Sequence, residues 1–243
     1  MTAPRVAALH WTFDPADPAA SRRGLLDHAR RAFAHADLVV LPELPWGPFV
    51  PDPTSFAGLL EAPDGPTVRA LGEVARDRGV LVAGLALREA GGLFNAQVVL
   101  DADGSLVGVY RKHHLWGPDA WWALPGPTPG AVVETSLGPL GLLICHDVVY
   151  PETVAAVAAR RPFALAFSTA WVGDGAGVPD SWAAAAHALD GAPFVAANRG
   201  GAEGPFEFAD PSAVLRAVDG ELVAQVGPRT TAPYTVTLTG VLR

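Results

Sequence analysis

The chain has 243 residues, of which 50% are hydrophobic and 17% charged, a composition typical of a folded globular protein. Its net charge is −8 and it has no Lys- or Arg-rich cluster, which argues against a nucleic acid partner. No apolar run approaches the ~20 residues of a membrane helix, and the N-terminal residues do not resemble a signal peptide. The single cysteine cannot form an internal disulfide. We therefore expect a cytoplasmic protein with no membrane partner.

The first part of the chain predicts alternating strands and helices. Apolar runs predict buried strands at residues 5–11, 37–44 and 80–89. Residues 21–36 predict a helix with Ser21 as N-cap and Leu25, Ala29 and Phe33 on its apolar face. A second helix is predicted to begin at Pro66 and to stop at Gly79.

Hairpins dominate the middle and the end of the chain. Turn signals lie at Asp103-Gly104, Gly138-Pro139 and Asp219-Gly220, each between two apolar runs. Between the last two turns, the pattern predicts helices at residues 151–161 and 180–191 and strands at residues 163–171 and 193–198. With a final strand at residues 234–239, this is a mixed α/β chain with helices on its outer layers.

Three predicted strands each end in a polar residue with reactive chemistry. LVVLPE ends at Glu43, GVYRK at Lys112 and GLLIC at Cys145. Because residues after the carboxyl ends of strands line the ligand crevice of α/β sheets, these side chains are expected to converge. A base or a nearby cation turns a thiol into a nucleophile, so the set is suited to acyl transfer.

Each of these residues also has an ordinary interpretation. A free cysteine is often a small buried hydrophobic residue, and a glutamate or lysine at a strand end is usually solvated. Only the combination favours catalysis.

The segments DLVVLPEL, GVYRKHHLW and GLLICHDVVYPE, in this order, resemble the three signature segments of the nitrilase (carbon–nitrogen hydrolase) superfamily. The resemblance extends to RVAALHW, to NAQVVLDADGSLVGVYRK and to SWAAAAHALDGAPFVAANRGG, and so covers nearly the whole chain. It implies a four-layer α-β-β-α sandwich with two mixed β-sheets, formed by residues 1–243 as a single carbon–nitrogen hydrolase domain. It also implies a homodimer or higher homo-oligomer, with neither cofactor nor metal.

The resemblance assigns roles to individual residues. Glu43 matches the general base, Lys112 the catalytic lysine and Cys145 the nucleophile that forms a thioester with a small amide or nitrile substrate. The backbone N–H of His146 would help Lys112 to stabilise the oxyanion.

The chain departs from the family pattern between Lys112 and the next Pro-Gly, where many members carry a second glutamate. Asp119 is the only acid there, and it either fills that role or is an exposed loop residue. His114 is expected either to orient Glu43 or a neighbouring loop, or to be structural. Asp147 and Glu152 are expected to hold the turn after the nucleophile and to cap the following helix.

Tryptophans cluster in the connecting segments. Trp46, Trp116 and Trp171 are candidates for the substrate pocket, although core packing is the alternative for each. Trp121 and Trp122 are candidates for a subunit interface.

The sequence is compatible with three kinds of function. A small-molecule amidase is the leading hypothesis, and the same triad also serves a nitrilase or an N-carbamoyl hydrolase. A non-catalytic homologue that binds a small ligand is the hypothesis from another class, motivated by the missing second glutamate.

Overall fold

The computed structural model describes residues 3–49, 58–173 and 177–238. Two six-stranded sheets contain most of the described strands, and a two-stranded ribbon adds to them. The first sheet comprises β1 (Val6–His10), β2 (Leu38–Val40), β3 (Val80–Glu89), β4 (Gly92–Leu100), β5 (Leu106–Arg111) and β14 (Tyr234–Leu238). The second comprises β6 (Ala131–Thr135), β7 (Gly138–Ile144), β8 (Ala164–Thr169), β9 (Phe194–Asn198), β12 (Ala213–Val218) and β13 (Glu221–Val226). The ribbon consists of β10 (Gly201–Glu203) and β11 (Phe206–Phe208).

Each sheet is mixed, with three parallel strands at its centre. In the first sheet the order is β14-β1-β2-β3-β4-β5, and β1, β2 and β3 are parallel. In the second the order is β13-β12-β9-β8-β7-β6, and β7, β8 and β9 are parallel. Trp11 and Arg199, which follow β1 and β9, form a parallel bridge between the sheets. The carboxyl ends of both parallel sets therefore meet at one end of the molecule.

Four α-helices cover the outer faces in the described part of the chain: α1 (Pro18–Ala32), α2 (Pro66–Ala75), α3 (Pro151–Ala158) and α4 (Asp180–Ala188). Leu25 of α1 and Leu71 of α2 pack on the first sheet. Val154 of α3 and Trp182 of α4 pack on the second.

A separate apolar cluster fills the space between the sheets, where Val40 of β2 and Leu142 of β7 are both fully buried. Burial of β-branched and aliphatic side chains on both faces of a sheet is the main stabilising contribution in such a layered fold. The predicted four-layer α-β-β-α sandwich with two mixed sheets is confirmed.

Several local predictions are wrong in detail, among them the end of α2, which lies at Ala75 and not at Gly79. The first helix begins at Pro18, not at Ser21, and the Asp17 carboxylate accepts the Ala20 N–H at 2.9 Å as its N-cap. The exposed first turn carries no apolar pattern, so the predicted start fell one turn late. The turn between β6 and β7 lies at residues 136–137, and Gly138 is already the first residue of β7.

Among the described residues, none of the helices combines the length and the apolar character that crossing a membrane requires.

Candidate active site

The predicted catalytic side chains lie at the end of the sandwich where the parallel strands finish. Glu43 follows β2, Lys112 follows β5 and Cys145 follows β7. Asp119 lies in a short 3-10 helix, Gly117–Trp121. All four side chains are almost completely buried, so charges among them act with little screening by water.

Lys112 lies between two carboxylates. Its Nζ donates to Glu43 Oε1 at 2.8 Å and to Asp119 Oδ2 at 2.5 Å. Asp119 is therefore a buried partner of the lysine, and its interpretation as an exposed loop residue is wrong. Burial disfavours the charge of the ammonium, but the two carboxylates outweigh that effect and raise the pKa of Lys112. Lys112 is a fixed cation.

Asn95 on β4 was not predicted as a site residue. Its Nδ2 donates to Glu43 Oε1 at 2.7 Å and to Asp119 Oδ1 at 3.0 Å. Its backbone carbonyl accepts the Lys112 N–H at 2.8 Å. An asparagine inside a largely apolar strand, opposite the lysine on the same hairpin, is the sequence signal that marks it.

Glu43 is held through both carboxylate oxygens, since Oε2 accepts the Ala170 N–H at 2.8 Å. Burial raises the pKa of Glu43 and the neighbouring Asp119 charge adds to this, while Lys112 and the hydrogen bond from Asn95 lower it. Such a carboxylate exchanges protons more readily near neutral pH than an exposed one.

Cys145 occupies a sharp turn from strand to helix. Its φ is +44°, a backbone conformation that non-glycine residues rarely adopt, and it opens the 3-10 helix Cys145–Val149. Strained residues of this kind concentrate at functional sites. Burial, and then the Glu43 charge, raise the pKa of the thiol to about 12, although Lys112 opposes them. The resting cysteine is thus a thiol that needs a base.

Asp147 holds this turn. Its Oδ2 accepts the Ile144 N–H at 3.0 Å and the Tyr110 hydroxyl at 2.8 Å. Its Oδ1 accepts the backbone N–H of His114 at 2.9 Å and contacts His114 Nδ1 at 3.0 Å. Asp147 therefore joins the residue before Cys145 to the segment after Lys112.

His114 contacts Asp147, and its ring stacks on Tyr150 with a centroid distance of 3.6 Å. His114 therefore orients the neighbouring loop. It makes no hydrogen bond to Glu43 among the described contacts. The His146 ring is partly exposed. Burial, and then the Lys112 charge, lower the pKa of His146. The role of its backbone N–H stays a prediction.

Arg199 is a second buried residue that sequence reasoning missed. Its Nη1 donates to the carbonyls of Leu44 at 2.8 Å and Gly47 at 2.9 Å, and Nη2 pairs with Glu203 at 2.7 Å. It fixes the loop that follows Glu43. The signal was the Ala-Asn-Arg segment at the end of β9, which carried no assigned role.

The three pocket tryptophans have different surroundings. Trp46 lines a cavity of about 310 Å³ that also contacts Leu44 but none of the predicted catalytic side chains. The backbone N–H of Trp116 donates to Asp119 Oδ2 at 3.4 Å, and its ring packs on Phe206. Trp171 packs edge-on against Trp182 of α4. Their contact with a substrate stays a prediction.

Comparison with known proteins supports the motif-based resemblance. The carbon-nitrogen hydrolase family profile matches residues 5–240. An N-carbamoylputrescine amidase of Solanum lycopersicum is 32% identical over 154 residues, which are 58% of this chain and 51% of that protein. A nitrilase of Pyrococcus abyssi is 35% identical over 128 residues, which are 51% of this chain and 48% of that protein. The chain spans about half the length of the curated relatives it matches.

Solved structures of an amidase from Nesterenkonia sp. AN1 match over most of both chains. A cysteine-to-alanine mutant in complex with butyramide has a TM-score of 0.80 and 27% identity, covering 98% of this chain and 90% of that one. Another mutant, in which acrylamide has added to the active-site cysteine, has a TM-score of 0.79 and 28% identity, covering 97% and 92%. Fold, motifs and profile agree, and the chain belongs to the carbon-nitrogen hydrolase family.

Proposed function

We propose that the chain is a cysteine-dependent hydrolase of a non-peptide carbon–nitrogen bond, acting as a small-molecule amidase. One observation carries the proposal: the only cysteine of the chain stands on a strained turn and interacts electrostatically with Glu43 and Lys112 of the buried Glu43–Lys112–Asp119 cluster. Such a cluster supplies a base, a fixed cation and a nucleophile in one water-poor site. Residues 1–243 form the single catalytic domain in this proposal.

In the acylation step, Cys145 Sγ attacks the carbonyl carbon of the amide while the thiol proton passes to Glu43. The raised pKa of the thiol makes this proton transfer necessary. Negative charge develops on the carbonyl oxygen, where Lys112 Nζ and the His146 N–H stabilise it. The carbon–nitrogen bond then breaks, and protonated Glu43 gives its proton to the leaving nitrogen.

In the deacylation step, a water molecule attacks the thioester carbon and gives a proton to Glu43. Collapse of the second tetrahedral intermediate breaks the carbon–sulfur bond, releases the carboxylic acid and returns the proton to sulfur. Asp119 takes the position of the second glutamate in this scheme, because it pairs with the ammonium of Lys112.

An N-carbamoyl hydrolase is the second candidate, favoured by the similarity to N-carbamoylputrescine amidases. The same attack on a carbamoyl carbon would give a carbamoyl thioester and release an amine. The nature of the released product separates the two activities, because an amidase leaves a carboxylic acid.

We also propose that the protein is cytoplasmic and forms a homodimer. Trp121 is 70% exposed and Leu124 is 48% exposed, close together in sequence beside the Lys112 segment. Exposed apolar side chains of this size suit a subunit interface. Size-exclusion chromatography with light scattering tests the assembly.

Mass spectrometry of the intact protein and of its peptides, after incubation with a panel of short amides, nitriles and N-carbamoyl amines, tests the function. We expect an acyl increment on the Cys145 peptide, together with free ammonia or amine. Cys145→Ala should lose the increment and all turnover with an unchanged circular dichroism spectrum, because the substitution is small. Undiminished turnover by that variant would refute the mechanism.

A further inference from the structure

Among the described residues, Asn95 is the uncharged side chain that donates hydrogen bonds to both carboxylates of the Lys112 cluster. Building on the proposed function, we propose that Asn95 is a positioning residue for the reaction, which keeps Glu43 ionised and correctly placed to accept the Cys145 proton. It does so as a neutral bridge between Glu43 and Asp119.

The hydrogen bonds fix the orientation of the Asn95 amide. Nδ2 donates to two carboxylate oxygens, whereas Oδ1 has no hydrogen-bond partner among the described residues. The opposite orientation would place the amide oxygen against two negatively charged carboxylates. In this orientation Oδ1 stays unpaired, and the two hydrogens on Nδ2 are donated to Glu43 and Asp119.

Charges face Glu43 from several sides. Lys112 and Asp119 belong to its own cluster, Cys145 lies close enough to interact with it, and buried Arg199 interacts with it from the end of β9. Burial and Asp119 favour the protonated form of Glu43, while Lys112 and Asn95 favour the carboxylate. Asn95 thus supports the ionised base without adding a charge of its own.

The backbone of Asn95 also ties β4 to the segment that carries the cation. It accepts the backbone N–H of Lys112, and the next residue pair, Ala96 and Arg111, is in register between β4 and β5. A displacement of Asn95 would therefore change the lysine and its carboxylates together.

Loss of the Asn95 hydrogen bond should raise the pKa of Glu43, and a base must be deprotonated to act. The acid limb of the pH profile should consequently move to higher pH, by about one unit. Asn95→Ala removes both donors. Asn95→Asp keeps the shape but replaces an N–H donor with an acid, so it remains informative if the alanine variant folds poorly.

Alkylation by iodoacetamide gives a readout that does not depend on turnover. Sulfur forms a bond to the methylene carbon, iodide leaves, and the thiol proton passes to Glu43. Because Cys145 is the only cysteine in the chain, the alkylation rate reports on this site alone. The rate is measured from pH 4 to pH 9 for the wild type, Asn95→Ala, Asn95→Asp and Gln97→Met.

Gln97 is the matched control. It is a buried amide on the same strand, and its Nε2 donates to Ser168 Oγ at 2.9 Å and to the Ala166 carbonyl. Its loss should lower the melting temperature without moving the alkylation profile. Upward shifts in both Asn95 variants with an unmoved Gln97→Met profile are the expected result.

An unshifted profile in the Asn95 variants, an equal shift in Gln97→Met, or a wild-type profile without an acid limb would overturn the assignment. Wild-type protein that is alkylated normally but hydrolyses none of the amides, nitriles or N-carbamoyl amines would refute the proposed function instead. The alkylation profile would still decide the role of Asn95.

Discussion

Two groups of side chains lie in the candidate active site, and each is built around a fully buried carboxylate. The base cluster consists of Glu43, Asn95, Lys112 and Asp119. The elbow cluster consists of Tyr110, His114, Ile144, Cys145 and Asp147. Glu43 is paired with a cation, whereas Asp147 is surrounded by a phenol, an imidazole and backbone N–H groups. The same kind of side chain therefore serves two purposes.

The two carboxylates differ in whether they can exchange protons or only accept hydrogen bonds. Asp119 and Lys112 shift the pKa of Glu43 in opposite directions, and the charge of Glu43 raises the pKa of Cys145. Asp147 is fully buried and accepts hydrogen bonds from three different segments. The base cluster is thus suited to moving protons, and the elbow cluster to holding the backbone of a strained nucleophile.

The largest effect is expected from Glu43→Gln. The amide keeps the shape of the side chain but cannot accept the thiol proton, so turnover should fall by about a hundredfold to ten-thousandfold. Rapid-quench measurement of the acyl-enzyme should show that formation and hydrolysis of the thioester are both slowed. Glu89→Gln is the control, because Glu89 pairs with Arg111, next to Lys112 in the chain, and makes no hydrogen bond to Lys112 among the described contacts. Full activity in Glu43→Gln would remove Glu43 as the base.

Asp147→Asn should have the next largest effect. One acceptor oxygen is replaced by a donor, which faces groups that are themselves donors, at a cost of about 1–3 kcal/mol in unfolding free energy. Displacement of Cys145 should lower kcat by about tenfold to a hundredfold. The pH midpoints should not move, because Asp147 makes no hydrogen bond to Glu43 or Lys112 among the described contacts.

Asp101→Asn is the control for this variant. Asp101 accepts the Ser136 N–H at 2.8 Å in an exposed hydrogen bond, and it makes no hydrogen bond to the elbow cluster among the described contacts. Its loss should change stability alone. A shift of the acid limb in Asp147→Asn similar to that in the Asn95 variants would erase the distinction between the two clusters.

The sequence predicted the layers of this fold well, because each strand and helix carries its own apolar pattern. Val40, Leu142 and Ala166 are buried as their runs indicated. The ribbon of β10 and β11 was missed, since three-residue strands are too short to show a period. The start of α1 was misplaced because its capping turn is solvated.

The site was predictable where a motif marked it and not where only distant contacts define it. Glu43 and Lys112 are 69 residues apart, yet both end an apolar strand and so stood out. Asn95 and Arg199 make their contacts across 52 and 155 residues, and nothing local in the chain requires these partners. The partners in buried polar networks of this type are brought together only by the tertiary structure.

The smallest effect is expected from His114, and it tests whether the elbow cluster acts mainly through Asp147. His114→Phe retains the stack on Tyr150 but removes the Nδ1 contact, while the backbone N–H still donates to Asp147. Loss of one hydrogen bond among several should lower kcat/KM by less than about tenfold. His114→Asn, which restores a donor without the ring, should recover part of the loss. A deficit as large as that of Asp147→Asn would show that the imidazole takes part in the chemistry, and the elbow cluster would then carry more than geometry.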